Sequence, residues 1–334
     1  MASARAAHSA SALPDGRVLL VGGFTQQENS AAGAELYDPI TAAFIAAGPM
    51  GTPRHSHSAT LLADGRVLVA GGYDARGNTL RSTELYDPAS GSFGPAASMG
   101  LARADHEAVR LDDGRVLIVG GVGPGWTFLA SAELYDPVRD RFEPTGAMDA
   151  ARESHAALRL RDGRVLVVGG HLGRGAATQI HRSAEIYDSE RGGFAPAGDM
   201  MLPRHKHDAL LLSDGRVLVS GGSDARDSDG VYASAELYDP AGDRFSAIDA
   251  SPLPRYKHQG TSWLLPDGRV LLAGGATRAE LFDPRTGGFT RVGGAARLAG
   301  QFSASAPLPD GRVLITGGYG ERQGPQRDAW IFQP

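Results

Sequence analysis

Asp-Gly-Arg-Val occurs seven times along this chain, beginning at Asp15, Asp64, Asp113, Asp162, Asp214, Asp267 and Asp310. The steps run from 43 residues (Asp267 to Asp310) to 53 (Asp214 to Asp267), so one unit is repeated along the whole length. Every copy runs on into a Leu- or β-branched-rich segment and closes on Gly-Gly, at 22–23, 71–72, 120–121, 169–170, 221–222, 274–275 and 317–318. After a variable stretch comes Ala-Glu-Leu-Tyr-Asp-Pro at 34–39, with copies or relatives at 83–88, 132–137, 184–189, 235–240 and 279–284. Residues 329–334, Ala-Trp-Ile-Phe-Gln-Pro, are a degraded seventh copy. An aromatic follows in six repeats, as Phe44, Phe93, Phe142, Phe194, Phe245 and Phe289.

Each unit reads as four short strands. Strand a resembles His57–Leu62, and the Asp-Gly that follows is a two-residue hairpin signal. Strand b is the run into Gly-Gly, c contains Glu-Leu-Tyr-Asp, and d carries the Phe. No segment keeps a helical period over 10–12 residues, so the chain is expected to be all-β. Seven such units predict a seven-bladed β-propeller, in which each sheet buries both faces against its neighbours. The blades fall at approximately 1–49, 50–98, 99–148, 149–199, 200–250, 251–293 and 294–334 of a single domain. Met1 stands in register with Met50, Met99 and Met148, so the chain starts where a strand d ends. The last blade is therefore expected to be three-stranded, with an open edge suited to a dimer contact.

Gly-Gly after b, Tyr-Asp-Pro in c and an aromatic in d resemble the kelch repeat, over essentially the whole chain. Phe stands in strand d where Trp is common in kelch repeats, and the wording is similar to the bacterial kelch-like branch. The resemblance implies a propeller that either binds or catalyses. It also points to galactose-oxidase-like copper enzymes, whose cofactor needs a Tyr–Cys crosslink. This chain has no Cys, so that chemistry is ruled out along with disulfides.

Charge narrows the partners. Lys and Arg number 33 against 38 Asp and Glu, which argues against a nucleic-acid or anionic-membrane binder. No run approaches 18 apolar residues, and the N-terminus has no apolar leader, so a cytoplasmic location is expected.

The d–a connections and the b–c loops share one face, the near face. An Arg-x-x-His recurs there, as Arg5/His8, Arg54/His57, Arg103/His106, Arg152/His155, Arg204/His207 and Arg255/His258. Each pair can bond to Glu35, Glu84, Glu133, Glu185, Glu236 or Glu280 at the start of strand c. The repeated His is therefore read as scaffold. On the far face, Arg17 is expected to pair with Asp38 and Arg66 with Asp87.

Departures from the repeat are the better guide to function. Blades 5 and 6 place His205, Lys206, Tyr256 and Lys257 between the repeated Arg204, Arg255 and their histidines, and blade 7 adds Arg297, Gln301 and Phe302. This donor-rich sector suits a small anionic molecule or an acidic peptide. Trp126, His171 and Tyr232 in the b–c loops are further contact candidates. The alternative is an enzyme in the same pocket. One form is a cofactor-free isomerase or cyclase with Lys206, Lys257 or Tyr256 as acid or base. The other is a metalloenzyme with a transition metal on His55, His57, His205 and His207. No cofactor is expected on the first reading.

Overall fold

The computed structural model describes residues 1–25, 30–248, 253–293, 300–320 and 324–334. Seven antiparallel sheets surround one channel. In blade 1, strand a is Ser9–Ala12, b Val18–Val21, c Ala34–Asp38 and d Ala43–Ala47, paired in that order. Blades 2 to 6 repeat the order, and blade 7 has three strands, Ala304–Pro307, Val313–Thr316 and Ala329–Phe332. No helix among the described residues is long and apolar enough to cross a membrane.

The apolar b strands owe their composition to burial on both faces. Leu19 and Val21 pack with Val67, Val69 and Tyr86 of blade 2. Val18 and Leu20 face the other way, onto Ala306, Leu308 and Leu314 of blade 7. Alternate side chains thus serve two different inter-blade cores, so both parities are mainly apolar. Blades 7 and 1 pack like any other pair, and that contact closes the ring.

Two local expectations change. The Asp-Gly turn is a three-residue loop rather than a two-residue one: Gly16 N–H donates to Leu13 O (3.0 Å) and Leu13 N–H to Arg17 O (2.8 Å), with Gly16 at φ +89°. This is a type I turn closed by a glycine bulge. On the far face, Arg17 bonds Asp15 at 2.6 Å, and Arg66 bonds Asp64 at 2.7 Å, instead of Asp38 and Asp87. A partner two residues away is met at little cost in chain entropy. Asp38 is meanwhile occupied by the Ile40 N–H at 2.8 Å.

Gly-Gly is the joint between blades. Gly22 has φ +63°, and a Cβ there would strike the Arg54 carbonyl of blade 2 and lie 2.9 Å from His57 Cε1. Gly23 N–H donates to that Arg54 carbonyl at 2.9 Å. The same pattern closes the circle, with Gly318 N–H on Arg5 O at 2.7 Å.

Candidate functional site

The repeated Arg and His are structural. Arg204 donates to Gly221 O (2.7 Å), Ser234 O (3.3 Å) and Glu236 Oε1 (2.7 Å). Arg255 reaches Gly274 O, Arg278 O and Glu280 Oε2 at 2.6, 3.1 and 2.8 Å. Both are fully buried, so they are corrected from ligand contacts to clamps that hold their own b–c loop. Arg5, Arg54, Arg103 and Arg152 are held the same way by Glu35, Glu84, Glu133 and Glu185. The glutamates take the Arg and not the His. The imidazoles instead reach the preceding blade: His57 Nε2 lies 3.1 Å from Ser9 Oγ, and His106 Nε2 lies 2.9 Å from Ser58 Oγ. Blade 7 closes the same register with Gly300 at the Arg position and Ser303 at the His position, leaving Gln301 and Phe302 as its variable pair.

The residue before each of those seven positions is left-handed. Ala7, Ser56, Asp105, Ser154, Lys206, Lys257 and Phe302 all have φ between 51° and 55°. Such a backbone costs a non-glycine residue about 1–2 kcal/mol, and blade-to-blade hydrogen bonds hold it. Ala7 N–H donates to Phe302 O, Ser56 to Ala7, Asp105 to Ser56, Lys206 to Ser154, Lys257 to Lys206 and Phe302 to Lys257, at 2.9–3.3 Å. This belt frames the channel mouth.

Inside it is a pocket of about 270 Å³, lined by Ser56, Asp105, Glu107, Lys257, Gln259 and Phe302 among others. The Lys257 ammonium sits 4.8 Å from the ring centres of both Tyr256 and Phe302. Burial and the neighbouring Lys206 charge lower its pKa, against the pull of Asp227. Burial, then the Glu153 charge, raises the Asp105 pKa to about 7, against the opposing influence of the nearby Ser56 and Tyr73 hydroxyls. Burial, then the Asp208 charge, raises that of Glu107 to about 8. Both carboxyls therefore keep protons near neutrality, where they can donate hydrogen bonds. Gln259 Nε2 donates to His155 O across the mouth (2.7 Å) and lies 3.4 Å from Glu107 Oε1.

Beside the pocket lies a second polar cluster. Lys206 Nζ donates to Asp227 Oδ1 (2.7 Å) and Tyr256 OH (3.0 Å), and Tyr256 OH donates to the same Asp227 oxygen. Lys206 and Tyr256 are thus committed to a carboxylate, and Tyr256 is only 2 % exposed. His205 Nδ1 faces His171 Nδ1 at 3.1 Å, and His171 Nε2 pairs with Glu153 at 3.0 Å.

The remaining candidates scatter. Trp126 is half-exposed on the blade-3 loop under the Arg174 guanidinium, 3.3 Å away, and does not line the pocket. Tyr232 donates to Pro203 O (3.1 Å) and packs near Arg204, so it is scaffold. Gln301 bridges the backbone of Tyr319. Arg297 lies outside the described residues. The proposed metal set does not assemble. His55 stacks between Phe24 and Tyr73, His57 bonds Ser9, His205 faces His171, and His207 is buried under Gly169. Among the described residues no three His, Asp or Glu side chains gather as ligands.

Asp105, Glu107 and Gln259 were not singled out in the sequence, although register marks them. Asp105 occupies the same belt position as the two lysines. Glu107 follows the repeated His where most blades carry Ser or Ala, and Gln259-Gly260 is a two-residue insertion after His258.

Seven meandering sheets around one channel define a β-propeller, and the repeat that builds it resembles the kelch repeat. The Kelch motif family model matches residues 54–100, most of blade 2 and the first two residues of blade 3. The chain is thus similar to kelch-repeat proteins over that blade. It is similar to Kelch-like protein 15 of Danio rerio and of Homo sapiens, 26% identical over 114 residues, which is 32% of this chain. The match spans 18% of the length of those relatives. Among solved structures, a fungal alcohol oxidase of the AA5 family, in complex with copper, superposes with a TM-score of 0.78 at 17% identity. It covers 99% of this chain and 74% of that one, a likeness of fold.

Proposed function

We propose that the near-face pocket recognises a small anionic molecule, with Lys257 as its charged contact. One observation carries this reading. The six ring arginines and Lys206 each have a carboxylate partner, whereas Lys257 has none among the described residues and faces the pocket. The volume suits a small molecule better than an acidic peptide. Phe302 supplies an apolar wall, and the protonated carboxyls of Asp105 and Glu107 supply donors to the anion.

The test is calorimetric titration with a panel of small carboxylates and phosphates at pH 6. A binder should lose affinity about 10-fold or more in Lys257→Met, since a charge-assisted hydrogen bond is worth roughly 1.5–3 kcal/mol. Unchanged affinity in that variant, or no binding by any member of the panel, overturns the assignment.

A further inference from the structure

We propose that Lys257 is a nucleophilic amine that forms a reversible imine with a small aldehyde or ketone, a 2-oxo acid above all, bound in the channel-mouth pocket. This rests on the pocket reading above and deepens it by naming the substrate class.

The first support is compositional. Of the 33 basic residues in the chain, only Lys206 and Lys257 are lysine; every other is arginine. Wherever this scaffold needs only a fixed positive charge, it uses Arg. The two lysines stand at the same belt position of adjacent blades, with Lys257 N–H bonded to Lys206 O. A guanidinium keeps its proton at any ordinary pH, whereas a buried amine can lose it. A site that retains lysine at these two positions alone is suited to chemistry that needs an uncharged amine.

The second support is geometric. Lys257 Nζ is held between the faces of Tyr256 and Phe302, at the wall of a pocket of about 270 Å³ that also contains Asp105 and Glu107. The ring faces favour the ammonium. Burial and Lys206 act against it, in the way a second cation activates a lysine nucleophile. Lys206 cannot serve as readily, because Asp227 and Tyr256 hold it as an ion pair.

The step balances with water as the only by-product. The free Nζ lone pair forms the C–N bond, and the carbonyl π pair moves to oxygen. That oxygen takes a proton from a protonated pocket carboxyl, and the carboxylate so formed takes the surplus proton from nitrogen. The same carboxyl then protonates the hydroxyl, which leaves as water as the nitrogen lone pair forms the C=N bond, and the resulting carboxylate takes back the remaining N–H proton. Amine plus carbonyl becomes imine plus water, the carboxyls end as they began, and hydrolysis reverses the sequence.

The experiment incubates the whole protein with glyoxylate or pyruvate and sodium cyanoborohydride, followed by intact mass and peptide mapping. Glycolate and lactate are titrated in parallel as non-carbonyl analogues. The reactive amines are only Lys206, Lys257 and the N-terminus, so assignment is direct. The expected result is one adduct, the mass of the carbonyl compound less one oxygen, on Lys257. It should be absent from Lys257→Arg and Lys257→Met variants that melt like the parent. Lys206→Met should move the pH of half-maximal trapping upward, a shift that a merely structural lysine would not cause. Labelling spread evenly over the three amines overturns the proposal. Binding of glycolate or lactate without trapping of glyoxylate or pyruvate also overturns it and leaves the pocket reading standing. Failure of both acid types to bind removes both.

Discussion

His57 of blade 2 lies under Gly22 of blade 1, its Cε1 2.9 Å from where a Cβ would stand and its Nε2 3.1 Å from Ser9 Oγ. Glycine is required there twice over, by a left-handed backbone and by the ring that fills the space of the missing side chain.

The joint predicts that equal substitutions differ sharply in cost. Gly120→Ala places a methyl 2.7 Å from His155 Cε1 and 2.8 Å from Arg152 O, whereas Gly77, at φ +80°, has nothing within 4 Å. Gly120→Ala should destabilise by about 3 kcal/mol or more, and Gly77→Ala by the backbone cost alone, about 1–2 kcal/mol. Urea midpoints of the two variants check this.

The near-face and far-face arginines should separate in the same way. Arg103 is fully buried on Glu133, at 2.8 Å, so Arg103→Met leaves a buried carboxylate unpaired and should cost about 3–5 kcal/mol. Arg66 bonds Asp64 at the surface, and Arg66→Ala should cost less than about 1 kcal/mol. Equal losses in thermal melts would refute the assignment of the near-face ring as clamp.

Acid should unfold the protein through its histidines. Burial, with the adjacent arginine, lowers the pKa of His8, His106 and His258 from 6.5 to about 3, and those of His57, His155 and His207 fall well below 6.5. The unfolded chain therefore binds more protons than the folded one below pH 6.5. Stability is present above that value and is lost as pH falls towards about 3. Melting temperature should drop steeply over this window, and less steeply in His106→Gln.

The pocket carboxyls work in the opposite sense. Asp105 and Glu107 have folded pKa values of about 7 and about 8, above their ordinary 3.8 and 4.5. Their contribution to stability is full below the ordinary values and is lost as pH rises through 7 to 8. Asp105→Asn should therefore stabilise the fold relative to the parent at pH 8.5 but not at pH 4. Anion affinity should also fall between pH 6 and 9, as these carboxyls become anions. Titrations across that range test the second effect independently of the first.

Much of the architecture was legible because it repeats. The period, Gly-Gly and the mainly apolar b strands recur in every blade and the strand-c Glu in six, and a feature that recurs so widely must serve contacts that the blades share. The seven blades, the short last blade and the reading of the repeated His as scaffold followed from that. Among the site residues, Lys257 and Phe302 were legible as breaks in the repeat, and they do line one pocket.

What the sequence could not decide is which charged groups are already spent. Lys206 and Lys257 are identical in residue type and register, yet Asp227 on the blade-5 loop engages the first and leaves the second against the channel. Arg204 and Arg255 looked available to a ligand until Glu236 and Glu280 proved to hold them. Asp105 and Glu107, brought to the same pocket as a lysine about 150 residues away, acquire raised pKa values only once the channel walls exclude water. Repetition in the chain determined the blades, because burial on both faces leaves each strand little freedom. The availability and protonation of a side chain depend on which other blade it meets, and closure of the ring alone decides that.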